Sequence, residues 1–105
     1  MQRKLVSSGT GWELYMPKDV LKLLGINPSE TRVLFKMDKN VLKIIKTGFD
    51  VNNQNLLIKK FNKSGNGYGL YISNSIIQFL EINPEVDEVK YVIENDILSI
   101  SKALQ

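Results

Sequence analysis

Two small-residue loops and the cations around them are the residues of this sequence best suited to hold an anion. The loops are Ser8-Gly9-Thr10-Gly11 and Ser64-Gly65-Asn66-Gly67. Backbone amides there can approach a phosphate without side-chain obstruction, and Ser8, Thr10 and Ser64 add hydroxyls. Arg3 and Lys4 precede the first loop, and Lys59, Lys60 and Lys63 precede the second. Side chains of this kind neutralise phosphates and release counterions. Lys18 follows the first loop, and Asn66 carries an amide that can pair bidentately with adenine. The chemistry expected of this set is non-covalent contact with a polyanion, nucleic acid first of all. Glycine and asparagine at these places also shape hairpins, whatever they bind. Trp12 and Tyr68 read as packing residues before base-stacking ones.

Covalent chemistry has little to work with. The sequence has no histidine and no cysteine, which removes the commonest general base, thiol nucleophiles and thiolate metal ligands. It has no phosphate-binding loop or dinucleotide fingerprint. The expectation is therefore a protein that is not an enzyme and carries no cofactor.

The elements that must position the loops occur twice. Residues 8–46 align without a gap on residues 64–102, at an offset of 56, with thirteen identities among 39 positions. Among them are Leu14/Leu70, Tyr15/Tyr71, Asn27/Asn83 and Pro28/Pro84. Most other pairs exchange one apolar residue for another, as in Met16/Ile72 and Phe35/Tyr91. Self-similarity of this length marks a tandem of one unit. Each unit reads β-β-α-β-β. In the first, strands over 3–7 and 12–16 flank the loop, and Pro17 starts a short helix with Val20, Leu21 and Leu24 on one stripe. Gly25 stops that helix, Pro28 prevents its resumption, and a hairpin over 32–37 and 41–45 follows. In the second, Ser73 stands where Pro17 opens the first turn and can serve as a helix N-cap, and Glu81 replaces Gly25. The copies run over 1–47 and 57–105, with 48–56 as linker. A half of this size rarely sustains its own core, so one shared core is expected. Eight short strands with two small helices make the fold mostly β, and closure into a barrel is the expected way to cover their edges.

Charge divides unevenly between the copies. Residues 1–47 hold nine Lys/Arg against four acids, a balance of +5, whereas residues 57–105 come to −1. A polyanion should thus lean on the first copy. No run approaches the roughly 18–20 apolar residues of a membrane span, and the basic N-terminus lacks the apolar core of a signal peptide. The expectation is a cytoplasmic protein without a membrane partner.

In order and spacing the unit resembles the AbrB/MazE/SpoVT family of swapped-hairpin domains. The features that carry the resemblance are the loops SGTG and SGNG, the strand running into Met16-Pro17-Lys18, the helix ending in Leu24-Gly25, then Ile26-Asn27-Pro28 and the closing hairpin. It covers nearly all of residues 3–47 and, more weakly, 59–103. What it implies is a barrel in which two interleaved copies, here joined in one chain as a pseudo-dimer, bind double-stranded DNA. Members of that family are transcriptional regulators or the DNA-binding parts of antitoxins, so a toxin or another protein is a further partner to consider. Two alternatives stay open: a protein-binding adaptor built on a duplicated barrel, and a DNA binder that works as a homo-oligomer of pseudo-dimers.

Overall fold

The computed structural model describes residues 1–47 and 58–103; the expected linker over 48–56 lies outside them, as do Leu57, Leu104 and Gln105. The described chain is mostly β with two short helices, and all strand pairs are antiparallel. The first copy contains β1 (Gln2–Lys4), β2 (Val6–Ser8), β3 (Gly11–Met16), α1 (Lys18–Leu24), β4 (Arg32–Asp38) and β5 (Val41–Thr47). The second repeats the order with β6 (Ile58–Lys59), β7 (Asn62–Ser64), β8 (Gly67–Ile72), α2 (Asn74–Phe79), β9 (Glu88–Glu94) and β10 (Ile97–Lys102).

Local chemistry sets these boundaries. Gly9 and Gly65, each at φ +56°, open two-residue turns whose second residues, Thr10 and Asn66, are not at positive φ. That pattern fits a II′ hairpin, in which glycine takes the first central place. The closing hairpins turn on Lys39-Asn40 and Asn95-Asp96, all four at positive φ, as a I′ turn requires. Pro17 stands at the N-cap of α1 rather than inside its first turn. Gly25 ends that helix in the left-handed region, its amide bonded to the Lys22 carbonyl and that of Ile26 to Leu21. Ser73 caps α2 by accepting the Ile76 amide at 3.4 Å. Asn27 then shapes the Ile-Asn-Pro segment: its side-chain oxygen accepts the Ser29 amide and its carbonyl accepts that of Thr31.

Barrel closure is the expectation that needs correction. The strands form two open sheets, a six-stranded one in the order β1-β9-β10-β5-β4-β6 and a four-stranded one in the order β2-β3-β8-β7. The expected single strand over 3–7 is interrupted at Leu5, which turns into the core at 6% exposure, while the chain passes from the large sheet to the small one. The second copy makes the same passage between β6 and β7. Corners made by the bending chain, not by a continuous ladder, join the two layers. The edges left over are strands of two or three residues bearing Lys4, Lys59 and Lys63, a common protection against edge-to-edge pairing.

Exchanging the copies maps both strand orders onto themselves. First strands are traded: β1 pairs with β9 of the second copy, and β6 with β4 of the first. At the midpoints, equivalent positions face each other, Leu14 with Leu70 in the small sheet and Lys43 with Ser99 in the large one. The sheets' inner faces bury one cluster drawn from both copies, with Leu14, Leu70, Phe35, Leu42 and Leu98 wholly inaccessible. The apolar stripes of the helices, Val20, Leu21 and Leu24 in α1 and Ile76 and Ile77 in α2, close the ends of this core. Among the described residues no charged side chain is buried.

Candidate nucleic-acid interface

Alternation along β3 and β8 sends Leu14, Met16, Leu70 and Ile72 inward and leaves Glu13, Tyr15 and Tyr71 on the outer face of the small sheet. The two tyrosines lie diagonally across the neighbouring strand. The Tyr71 hydroxyl stands 2.5 Å from where a Cβ on Gly11 would be, and that of Tyr15 stands 2.6 Å from the same point on Gly67. Glycine is therefore required at Gly11 and Gly67 by close approach, while Gly9 and Gly65 are required by φ. Tyr71 also hydrogen-bonds Thr10 Oγ1 at 2.9 Å, and Asn74 Nδ2 donates to the Thr10 carbonyl at 2.8 Å. The first loop is thus tied to the start of α2 in the other copy. Between the tyrosines, the Glu13 side chain crosses over Gly69. A carboxylate consequently occupies the middle of this face.

The expected contact residues divide into separate groups. Arg3, Lys4 and Ser64 line one cleft of about 500 Å³, together with Tyr15 and the carboxylates Glu13 and Glu88. Within it the Arg3 guanidinium lies 4.5 Å from the centre of the Tyr15 ring, a cation–π contact. Lys4 is opposite Glu88 in the strand register, and its Nζ donates to the Glu85 carbonyl at 3.5 Å. Lys60 lines a different cavity of about 320 Å³, with Arg32, Phe61, Pro28 and Tyr68. Lys18, the first residue of α1, lines an adjoining one of about 200 Å³ with Lys22, Pro28 and Tyr68. Lys63 is opposite Tyr68 in the register and exposed. Lys59 is half-buried on β6, opposite Val33. Ser8 and Thr10 are at the first turn, at the opposite end of the small sheet from Ser64 and Asn66. Six residues of strand at about 3.3 Å each separate the turns, roughly 20 Å in all.

Sequence patterning missed Arg32, Lys22 and Tyr68 as members of a common surface. The even spacing of Lys18 and Lys22 on one helix was the available signal for two of the cations; nothing in the order of residues links them to Arg32 or Lys60. Tyr68 packs against the core, as its apolar alternation predicts, and also walls both cavities.

One buried hydroxyl ties the layers together. Tyr91, on the inner face of β9, donates to the Tyr15 carbonyl at 2.6 Å. Burial pushes its phenol well above the ordinary value of 10.0, partly offset by the nearby Arg3 charge. Among the described residues no group of three carboxylates converges on a metal-sized site.

Fold and site together define a class: a duplicated, mostly β unit with traded first strands and cationic clefts at its corners. Comparison with family models, with curated proteins and with solved structures finds no match for this chain.

Proposed function

We propose that this chain is a double-stranded-DNA-binding protein of the AbrB/MazE/SpoVT type, a transcriptional regulator or antitoxin-type protein whose two copies form a swapped-hairpin pseudo-dimer within one chain. The observation that carries the proposal is the exchange of first strands, β1 onto β9 and β6 onto β4, about midpoints at Leu14/Leu70 and Lys43/Ser99. Interleaving of two copies is what the resemblance implies, and a pseudo-two-fold body suits the pseudo-two-fold of a duplex. Arg3 and Lys4 contact phosphates from one corner, Lys59 and Lys60 from the equivalent corner. The turns at Thr10 and Asn66 approach the backbone from the two ends of the small sheet. Selection of bound sequences from random duplex DNA tests the assignment: enrichment of a motif is expected, and no enrichment, with binding that vanishes at moderate salt, rejects it. In the Arg3→Ala/Lys4→Ala variant, duplex affinity falls and the slope of log K against log salt flattens by roughly one unit for each phosphate no longer neutralised.

A protein-adaptor role is favoured by a different observation. On the outer face of the large sheet, Ile58, Leu34, Ile45 and Ile97 are successive cross-strand neighbours, all half-buried. At the equivalent places of the other half stand Gln2, Lys90, Ser101 and Val41. A partner protein covering only the apolar row would use this asymmetry. Alternatively, two copies of the chain could stack on it, which would yield the homo-oligomer of pseudo-dimers. Sedimentation of Leu34→Lys/Ile45→Ser, which installs the polar residues of the other half, separates these: loss of a dimer supports the oligomer.

A further inference from the structure

The cavities beside α1 and beside the 28–32 turn are one groove. They share Pro28 and Tyr68, with Lys18 and Lys22 at one end and Arg32 and Lys60 at the other. The half-buried Tyr68 ring rests against the core on one side and walls the groove on the other. The one acid on the wall, Glu30, is turned back on its own segment and accepts the Asn27 side-chain amide at 3.2 Å. Ion pairs among the described residues are Lys43–Asp38 and Lys102–Asp87, neither of which involves a groove cation.

The pseudo-symmetry supplies an internal comparison. Positions equivalent to Lys18, Lys22 and Arg32 are Asn74, Gln78 and Glu88, and Tyr68 corresponds to Trp12. Lys60 corresponds to Lys4, which is opposite Glu88 and bonded to the Glu85 carbonyl. The aromatic floor and the proline are kept in both halves, but the cations are concentrated in one. Folding alone needs no such bias, since the second half folds the same way without it.

We infer that the groove centred on Tyr68 binds single-stranded nucleic acid, one base stacking on the Tyr68 ring and phosphates lying against Lys18 and Lys22 on one side and Arg32 and Lys60 on the other. A positively charged track with an aromatic platform is how sequence-tolerant single-strand binding is built. The recess selects against a duplex, because a base reaches the ring face only when its own pairing edge and stack are released. An acidic peptide would use the cations but gain nothing particular from the ring. This site is separate from the corner at Arg3 and Lys4, although it shares Lys60 with the equivalent corner.

The test uses the full chain and fluorescence anisotropy with labelled oligo-dT and oligo-U of about 12 nucleotides, the oligo-dA/oligo-dT duplex and polyglutamate. Lys22→Gln/Arg32→Glu installs residues that the other half already carries at the same places, so the fold accommodates them. Single-strand affinity is expected to fall about tenfold and duplex affinity by clearly less, since the lost charge weakens the field near Lys60 without removing a duplex contact. A second variant, Trp12→Tyr/Tyr68→Trp, moves the single tryptophan of the sequence into the groove. Oligo-dT should then quench its fluorescence, whereas the parent protein shows no such quenching. Unchanged single-strand affinity in a folded Lys22→Gln/Arg32→Glu protein overturns the inference. So does the absence of quenching, or polyglutamate binding as tight as that of the oligonucleotides. Loss of duplex binding on Arg3→Ala/Lys4→Ala bears on the other surface alone, so the two proposals fail separately.

Discussion

At the scale of single residues, the copies differ where polar atoms matter. Tyr91 corresponds to Phe35, so only one half has a hydroxyl bridging the two sheets. Removing it with Tyr91→Phe keeps a shape the fold already accepts and should lower unfolding free energy by about 1 kcal/mol, read from urea denaturation. The same group fixes a pH dependence. Its folded pKa is raised above the unfolded value of 10.0, so its contribution is full below about pH 10 and is lost as pH rises beyond it. Alkaline unfolding midpoints should therefore fall above pH 10 in the parent protein and fall less in Tyr91→Phe. Glu13 makes the opposite point. Its alignment with Gly69 is visible in the sequence, but not that its side chain would cross Gly69 at the centre of the sheet face. The cleft that holds Arg3 and Lys4 thus has this carboxylate in its wall as well.

At the scale of elements, local chemistry was largely legible. Helix starts at Pro17 and Ser73, the stop at Gly25 and both closing turns follow from residue types whose backbone preferences are strong. Glu81 tests how much the stop matters: it takes the place of Gly25 at φ +56°, compensated by a hydrogen bond from Asn40 Nδ2 at 3.1 Å. A side chain in the left-handed region costs about 1–2 kcal/mol. Gly25→Ala should accordingly lower stability by about 1 kcal/mol and Glu81→Gly should raise it slightly, opposite shifts in melting temperature that calorimetry can resolve. Strand ends were less legible. The break at Leu5 has no glycine or proline to mark it, because the bend is imposed by burying that leucine between two sheets.

At the scale of the whole molecule, neither copy is complete. The hairpin of β4 and β5 is flanked by β6 and β10 of the second copy, and β1 leaves its own copy to pair with β9. The isolated segment 1–47 would uncover Leu14, Phe35 and Leu42. It should be either unfolded or a homodimer in which a second molecule supplies the missing strands. Sedimentation and circular dichroism decide this, and a stably folded monomer would contradict the shared core.

What the sequence by itself determined is the repeat, the order of elements, the apolar alternation of β3 and the concentration of charge in the first copy. These follow from periodicity, turn chemistry and composition, which act over a few residues at a time. Only the tertiary structure decided that the sheets stay open, that first strands are traded between copies, and that Lys18, Lys22, Arg32 and Lys60 gather around Tyr68. Those outcomes depend on which distant strands pair and on how two layers share one core. A local pattern leaves such choices undetermined, because the same alternating strand can be covered equally well by its own copy or by the other.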